Sequence, residues 1–292
     1  MKIRILLIFF IIIIYIYGKY NGYTNQEIYS YIYEYRYNIK EAMLVLPRRI
    51  KRILYHDMIN RSNCSSMITD SSPKNFISWN IQCLFFYIKP TKINNIINTI
   101  TDFGVDLLCL QEVFEDNIKL RLINELRDIY PYYLLGNTNK KYILGEDSGL
   151  LILSKKNIVF HKEVIFDNCV STDKVADKGI IYFSVGDYIF ATSHTQADND
   201  KISENQIRSI YERSPFNKYI ILGDLNNQYV NSILNIEPNN LIKTYENEIL
   251  DYIIPIGYTK KILDVKVLPI DITDITDHQP IYGEIVDEHF FE

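Results

Sequence analysis

From Phe76 onward the chain alternates short apolar runs with polar turns and helical patterns. FISWNIQ, VDLLCLQEV, YYLLG, SGLLILS, IVFHKEVIF, KGIIYFSV, YIFATSHTQ, KYIILGDLN, ILDYIIP, KILDVKV and PIYGEIV have the length and β-branched or aromatic content of strands. Between them, residues 91–102 place Ile93, Ile96, Ile97 and Ile100 on one helical face. Helices are also expected over 116–130 and 202–213. Many strands interrupted by three or four helices predict two stacked sheets flanked by helices. There is no internal repeat, and neither GxGxxG nor GxxxxGK[ST] occurs, so no glycine-rich phosphate loop is present.

Residues 1–75 have a different texture. Two basic residues precede an unbroken apolar run from Ile5 to Tyr17, short of the roughly 20 residues that span a bilayer core. Residues 1–18 therefore read as a signal peptide or a short membrane anchor, which directs the chain to the secretory pathway, secreted or membrane-anchored. Residues 19–75 read as a basic helical and linker region. Within it LPRRIKRILYHDMI suits a helix opening at Pro47, and the Ser/Asn-rich stretch 60–74 reads as a linker with sequons at Asn60 and Asn63. Residues 76–292 form the expected catalytic domain.

Charge divides at the same boundary. Residues 1–75 carry 11 Lys/Arg against 5 Asp/Glu, and residues 76–292 carry 20 against 31, a net −11. An acidic domain is a poor partner for nucleic acid, whose affinity comes largely from phosphate neutralisation. A divalent cation can still bridge acidic side chains to a phosphate. Of the four cysteines, Cys83 and Cys109 sit in or beside apolar strands and read as buried thiols, whereas Cys64 and Cys169 lie in polar stretches where pairing is open. No protein partner is implied.

Five strands end in, or are preceded by, side chains suited to a metal or to proton transfer. Asn80 ends the first, Glu112 the second, His194 and Gln196 a third, Asp224 and Asn226 a fourth, and Asp277-His278 precedes the last. Oxygen-rich sets of this kind suit a hard cation such as Mg²⁺. CxxC, HExxH and EF-hand spacings are absent. His56, His161 and His289 lack such company and read as structural or exposed. Phe85, Phe86 and Tyr87 are either core or an aromatic wedge that meets lipid.

WNIQ, LQEVF, SGLLILS, SHTQAD, GDLN and TDHQP occur in the order seen in the deoxyribonuclease-I-like endonuclease/exonuclease/phosphatase superfamily, which residues 79–280 resemble. Within it LQEVFED, SHTQAD, DKGIIYFSV and LDYI are most similar to neutral sphingomyelinases. The resemblance implies an α/β (α+β) fold, a four-layer αββα sandwich of two mixed β-sheets flanked by helices. It also implies Mg²⁺-dependent (or Mn²⁺-dependent) phosphodiester hydrolysis, with a membrane lipid such as sphingomyelin as substrate. On that basis Glu112 is the metal ligand, with Asn80 beside it at the metal or the phosphate. Asp224 orients the attacking water or assists the metal, and Asn226 bonds a non-bridging phosphate oxygen. His278 is the general base, oriented by Asp277, while His194 donates to the phosphate or stabilises transition-state charge. Lys178 either neutralises phosphate or pairs with an acid. Only about 24 residues separate GDLN from LDYI, which leaves substrate choice more open than chemistry. A secreted nuclease, an inositol-lipid phosphatase and an inactive binding protein are the competing readings.

Overall fold

The computed structural model describes residues 15, 19, 24–26, 28, 61–64, 72–84, 90–136, 147–236, 243–258 and 262–286. Most of the apolar run 5–17, the basic helix expected from Pro47, the aromatic triplet Phe85–Tyr87, His56 and His289 lie outside the described residues. Among the described residues no helix is long and apolar enough to cross a membrane.

The apolar runs become strands as the pattern predicts. β1 (Asn75–Cys83), β2 (Leu107–Val113), β3 (Tyr132–Leu135), β4 (Leu151–Ser154), β10 (Leu263–Val267) and β11 (Ile281–Ile285) form one mixed sheet in the order β10-β11-β1-β2-β4-β3. The second sheet, β5-β6-β7-β8-β9, contains Val159–Ile165, Gly179–Val185, Tyr188–His194, Tyr219–Asp224 and Asp251–Ile256. Among the described residues of 72–286 the α-helices are α1 (Pro90–Phe103), α2 (Asp116–Glu125), α3 (Asp200–Glu212) and the short α4 (Val230–Leu234).

Alternation along the strands sorts the apolar side chains into three interlayer cores. Ile77, Trp79, Leu108 and Leu110 face Ile93, Ile96 and Ile100 of α1 and Leu122 of α2. Phe76, Leu107 and Cys109 point the other way, onto Phe183, Phe190, Ile220 and Leu222 of the second sheet. The far face of that sheet, with Tyr182, Ala191 and Ile221, is covered by Ile207 and Ile210 of α3 and Val230 of α4. Three cores between successive layers make a helix–sheet–sheet–helix sandwich. Phe76 and Phe190 meet edge to face across the middle core, with centroids 5.4 Å apart.

One expectation changes, and the open question of cysteine pairing is answered. Residues 61–64 lie along the edge of β3 instead of running free as a linker. Ser62 bridges Leu134, and Arg61 exchanges two hydrogen bonds with the backbone of Leu135 (2.9 and 3.0 Å). The side chain of Asn63 accepts from the Tyr133 amide and donates to the Pro131 carbonyl. This segment satisfies backbone groups that an open sheet edge would leave unpaired. All four cysteines are free, so Cys64 and Cys169 do not pair. Burial pushes the Cys83 thiol up to about 12 and that of Cys64 to about 11.

Gly223 shows how tightly β7 and β8 approach at the end that carries the polar residues. A Cβ there would lie 2.0 Å from the Ser193 carbonyl oxygen, within neighbouring backbone that cannot swing aside. Gly223→Ala is therefore expected to destabilise the protein by about 1–3 kcal/mol, as overpacking does. A lowered urea midpoint checks this; an unchanged one would show that the two strands have slack.

Candidate active site

The parallel pairs β1/β2 and β7/β8 run so that their carboxyl ends meet at one rim of the sandwich. Register then aligns side chains across the second sheet: His194 pairs with Asp224, and Asp224 with Asp251 of antiparallel β9. His278 arrives from the loop before β11. Its carbonyl accepts from Trp79 Nε1 (3.0 Å), Thr276 Oγ1 donates to the Asn80 carbonyl (2.8 Å), and the Gln279 amide donates to the Thr244 carbonyl (2.8 Å). That loop is therefore tied to β1 and to the segment that precedes β9.

Glu112 reaches the rim because the ladder is irregular there. The β1/β2 pairing runs Asn80↔Gln111 and then Cys83↔Val113, so Ile81 and Gln82 together face Glu112. Glu112 has φ 58° and Gln82 φ 47°, both left-handed. Before the bulge Leu108 and Leu110 face the helices while Cys109 faces the other sheet. After it Val113 faces the helices, so the alternation has slipped by one. A bulge re-aims side chains in this way, at a cost of order 1–3 kcal/mol per strained residue.

The assembled groups are close. Asn80 Nδ2 donates to Asp224 Oδ2 (2.9 Å). His194 Nε2 lies 3.7 Å from Glu112 Oε1 and 3.6 Å from Asp224 Oδ2. His278 Nδ1 is bonded to Asp251 Oδ2 (2.7 Å), while its Nε2 stands 3.8 Å from Asp224 Oδ2, beyond hydrogen-bond range. That ring nitrogen is left open toward the cluster. Lys178 is buried, donating to the Thr195 carbonyl (2.7 Å), contacting His194 Nε2 (3.2 Å) and pairing with Asp173 (2.9 Å). Asn226 has φ 44°; its amide donates to Asp224 Oδ1 (3.0 Å) and its side chain to the Thr195 carbonyl (3.2 Å).

Charge is poorly matched at this rim. Burial, then the neighbouring charge of Asp251, raises the Asp224 carboxyl to about 7. Burial also raises Glu112, against the hydrogen bond from Asn80. For His278, burial lowers the imidazole, but Asp251 and Asp224 outweigh it and bring it up to about 10. His194 falls well below its ordinary value through burial and the charges of Lys178 and His278. His194 Nε2 faces the Lys178 ammonium at 3.2 Å, while its Nδ1 is buried with no hydrogen-bond partner among the described residues. Glu112, His194 and Asp224 converge closely enough to ligate one ion, as do Asp224, Asp251 and His278. The side chain of Glu112 keeps 17% of its surface exposed, which makes it the carboxylate of the first set most open to solvent.

Asn80, Glu112, His194, Asp224, Asn226, Asp277 and His278 therefore gather here, whereas the Gln196 side chain turns away to accept from the Val170 amide (2.8 Å), and Asp277 is arranged differently from the expectation. Asp277 does not hold the far nitrogen of His278. Its carboxylate is 3.9 Å from Nε2 and accepts from Gln82 Nε2 (2.6 Å), because the residue lies on the open side of the ring. Asp251 occupies the orienting position instead. The sequence carried a signal for it: Asp251 opens the strand DYIIPI in LDYI, one ladder step from Asp224. Of the two alternatives for Lys178, the structure shows the pairing with an acid, Asp173, and adds a contact to His194. His161 is structural, bonded to Ser184 Oγ (3.0 Å) and packed on Phe216.

The Endonuclease/Exonuclease/phosphatase family profile matches residues 77–240. Over 120 residues the chain is 28% identical to sphingomyelinase C of Listeria ivanovii, a stretch that covers 36% of each. The chain thus spans about a third of the length of that curated relative. The structure of sphingomyelinase C from Streptomyces griseocarneus is similar, with TM-score 0.61 and 17% identity over 74% of this chain and all of the other. So is that of a Staphylococcus aureus beta toxin variant with bound magnesium ions, with TM-score 0.60 and 18% identity over 74% of this chain and all of the other. At such identities the structures share the fold. The family match, covering more than half of the chain and spanning the rim from Asn80 to Asn226, places this protein in the Endonuclease/Exonuclease/phosphatase family.

Proposed function

We infer that the chain is a Mg²⁺-dependent phosphodiesterase that hydrolyses sphingomyelin to ceramide and phosphocholine. The observation that carries this reading is the His278–Asp251 pair facing Glu112 and Asp224 across one rim. The partial match to a sphingomyelinase C supports the choice of substrate. So does the acidity of residues 76–292, which suits a lipid phosphodiester better than a polyanion.

The donor set fits a hard cation. Glu112, Asp224 and Asn80 offer oxygens, and the charges of His278 and Lys178 do not outweigh the burial that raises Glu112 and Asp224. Glu112 and Asn80 would hold the ion. Mg²⁺ held there would offset the charge of the carboxylates and supply a Lewis acid for a phosphoryl oxygen. The chain's own groups do the rest. Asp251 fixes the imidazole through Nδ1, leaving Nε2 to take a proton from the attacking water. Asp224 orients that water. Asn226 and Lys178 stabilise negative charge developing on the phosphate, and His194 relays the position of the Lys178 ammonium.

The raised groups fix the sign of the pH dependence. Asp224 moves from 3.8 to about 7 on folding, so its contribution to stability is full below about pH 4 and is lost as pH rises through 7. Mg²⁺ binds the ionised form. The gain in melting temperature on adding Mg²⁺ is expected to be larger at pH 8 than at pH 5.5, and abolished in Glu112→Gln. An equal gain at both pH values would argue against these carboxylates as ligands.

Activity is tested with sphingomyelin, a phosphoinositide and DNA, each with and without chelator. Phosphocholine release that needs Mg²⁺ is expected from sphingomyelin alone. Cleavage of DNA or dephosphorylation of the inositol lipid in its place would overturn the substrate assignment. His278→Ala should lower kcat by about 10²–10⁴-fold, the range for a lost general base; retained activity would remove it from the mechanism.

A further inference from the structure

Gln82 ends the WNIQ stretch, and the reaction described above gives it no part. It is nevertheless the residue that joins the metal side of the rim to the base side. Its backbone N–H donates to Asn80 Oδ1 (3.0 Å), which turns Asn80 Nδ2 toward Asp224. Its carbonyl accepts from the buried ammonium of Lys92 (2.6 Å) in α1. Its side-chain amide donates to Asp277 Oδ2 (2.6 Å), 195 residues away in the chain. All three contacts require the left-handed backbone at φ 47° opposite Glu112, a conformation that is costly for a residue with a Cβ.

Asp277 explains what the side-chain contact is for. Its side chain is 38% exposed, and its Oδ1 lies 3.9 Å from the open Nε2 of His278. A carboxylate so placed, if unrestrained, would close on the imidazole and occupy the nitrogen that must meet water. Thr276 Oγ1 approaches Asp277 Oδ1 at 3.4 Å, a long contact beside the 2.6 Å bond from Gln82. An amide at position 82 supplies the donor needed to hold Asp277 back. An acid there would repel it, and an alkyl side chain would release it.

We propose that Gln82 is a positioning residue for the phosphodiesterase reaction, keeping Asp277 off the free nitrogen of His278 while its backbone orients Asn80. The inference rests on the function proposed above and adds a requirement for a hydrogen-bond donor at position 82. The geometry of this contact concerns kcat more than substrate binding, since Gln82 acts through Asp277 and His278.

The test compares wild type, Gln82→Glu, Asp277→Asn and the double variant Gln82→Glu/Asp277→Asn, all as full chains. Gln82→Glu keeps length and volume but removes the donor. It is expected to lower kcat for sphingomyelin about 10–100-fold, as loss of an orienting partner does, with KM changed less than about threefold. The double variant exchanges donor and acceptor across the same contact and should recover at least about tenfold of that loss, a coupling that independent sites would not show. Wild-type kcat in Gln82→Glu, or no recovery in the double variant, overturns the proposal. If wild type turns over no phosphodiester, the functional reading fails separately. The contact is then judged by urea midpoints, where the double variant must exceed Gln82→Glu; the reverse order overturns it.

Discussion

The rim of this sandwich is governed by the cost of gathering Glu112, Asp224 and Asp251 where water is largely excluded. Carboxylates this close resist ionisation together, and burial adds to the penalty. The protein answers with His278 wedged between Asp251 and Asp224, Lys178 beneath His194, and the Asn80 amide on Asp224. These partners offset the burial of Glu112 and Asp224 only in part, and both carboxyls stay raised. A divalent ion would complete the arrangement, which is the physical content of the family's association with phosphate-ester chemistry. On the proposed reading stability and function pull in opposite directions, since the ionised form that would bind a cation is the form burial disfavours.

The same tension is visible in the backbone. Gln82, Glu112 and Asn226 each adopt a positive φ, and each lies within the site. None is glycine, so each holds a conformation that its Cβ disfavours. The bulge between β1 and β2 moves Glu112 off the helix-facing track of Leu108 and Leu110 and brings it to the rim. Packing on both faces of the first sheet holds this strain in place: Trp79 is fully buried in the helix-side core and also bonds the His278 carbonyl. Core and site therefore share residues, and a core substitution at Trp79 would be felt at the imidazole.

Much of the fold was legible from periodicity. Strand runs such as KGIIYFSV and KYIILGDLN carry enough β-branched and apolar residues to be read without tertiary information, and Ile93, Ile96 and Ile100 mark their helix as clearly. The polar residues at strand ends were legible too, because polar side chains repeatedly closed apolar runs. Partner choice was not. Asp277 is adjacent to His278 in sequence, yet Asp251 takes its Nδ1, since adjacent residues in a tight loop diverge while ladder register brings Asp251 beneath the ring. The docking of residues 61–64 on β3 was equally hidden, because a polar Ser/Asn-rich segment that pairs through its backbone looks like a linker in one dimension.

The central claim is that the carboxylates at this rim hold a divalent cation. Anomalous diffraction from a crystal soaked in Mn²⁺ tests it most directly. A peak bonded to Glu112, within reach of Asn80 and Asp224, is the predicted result. A fully occupied peak elsewhere, with none at Glu112, would contradict it.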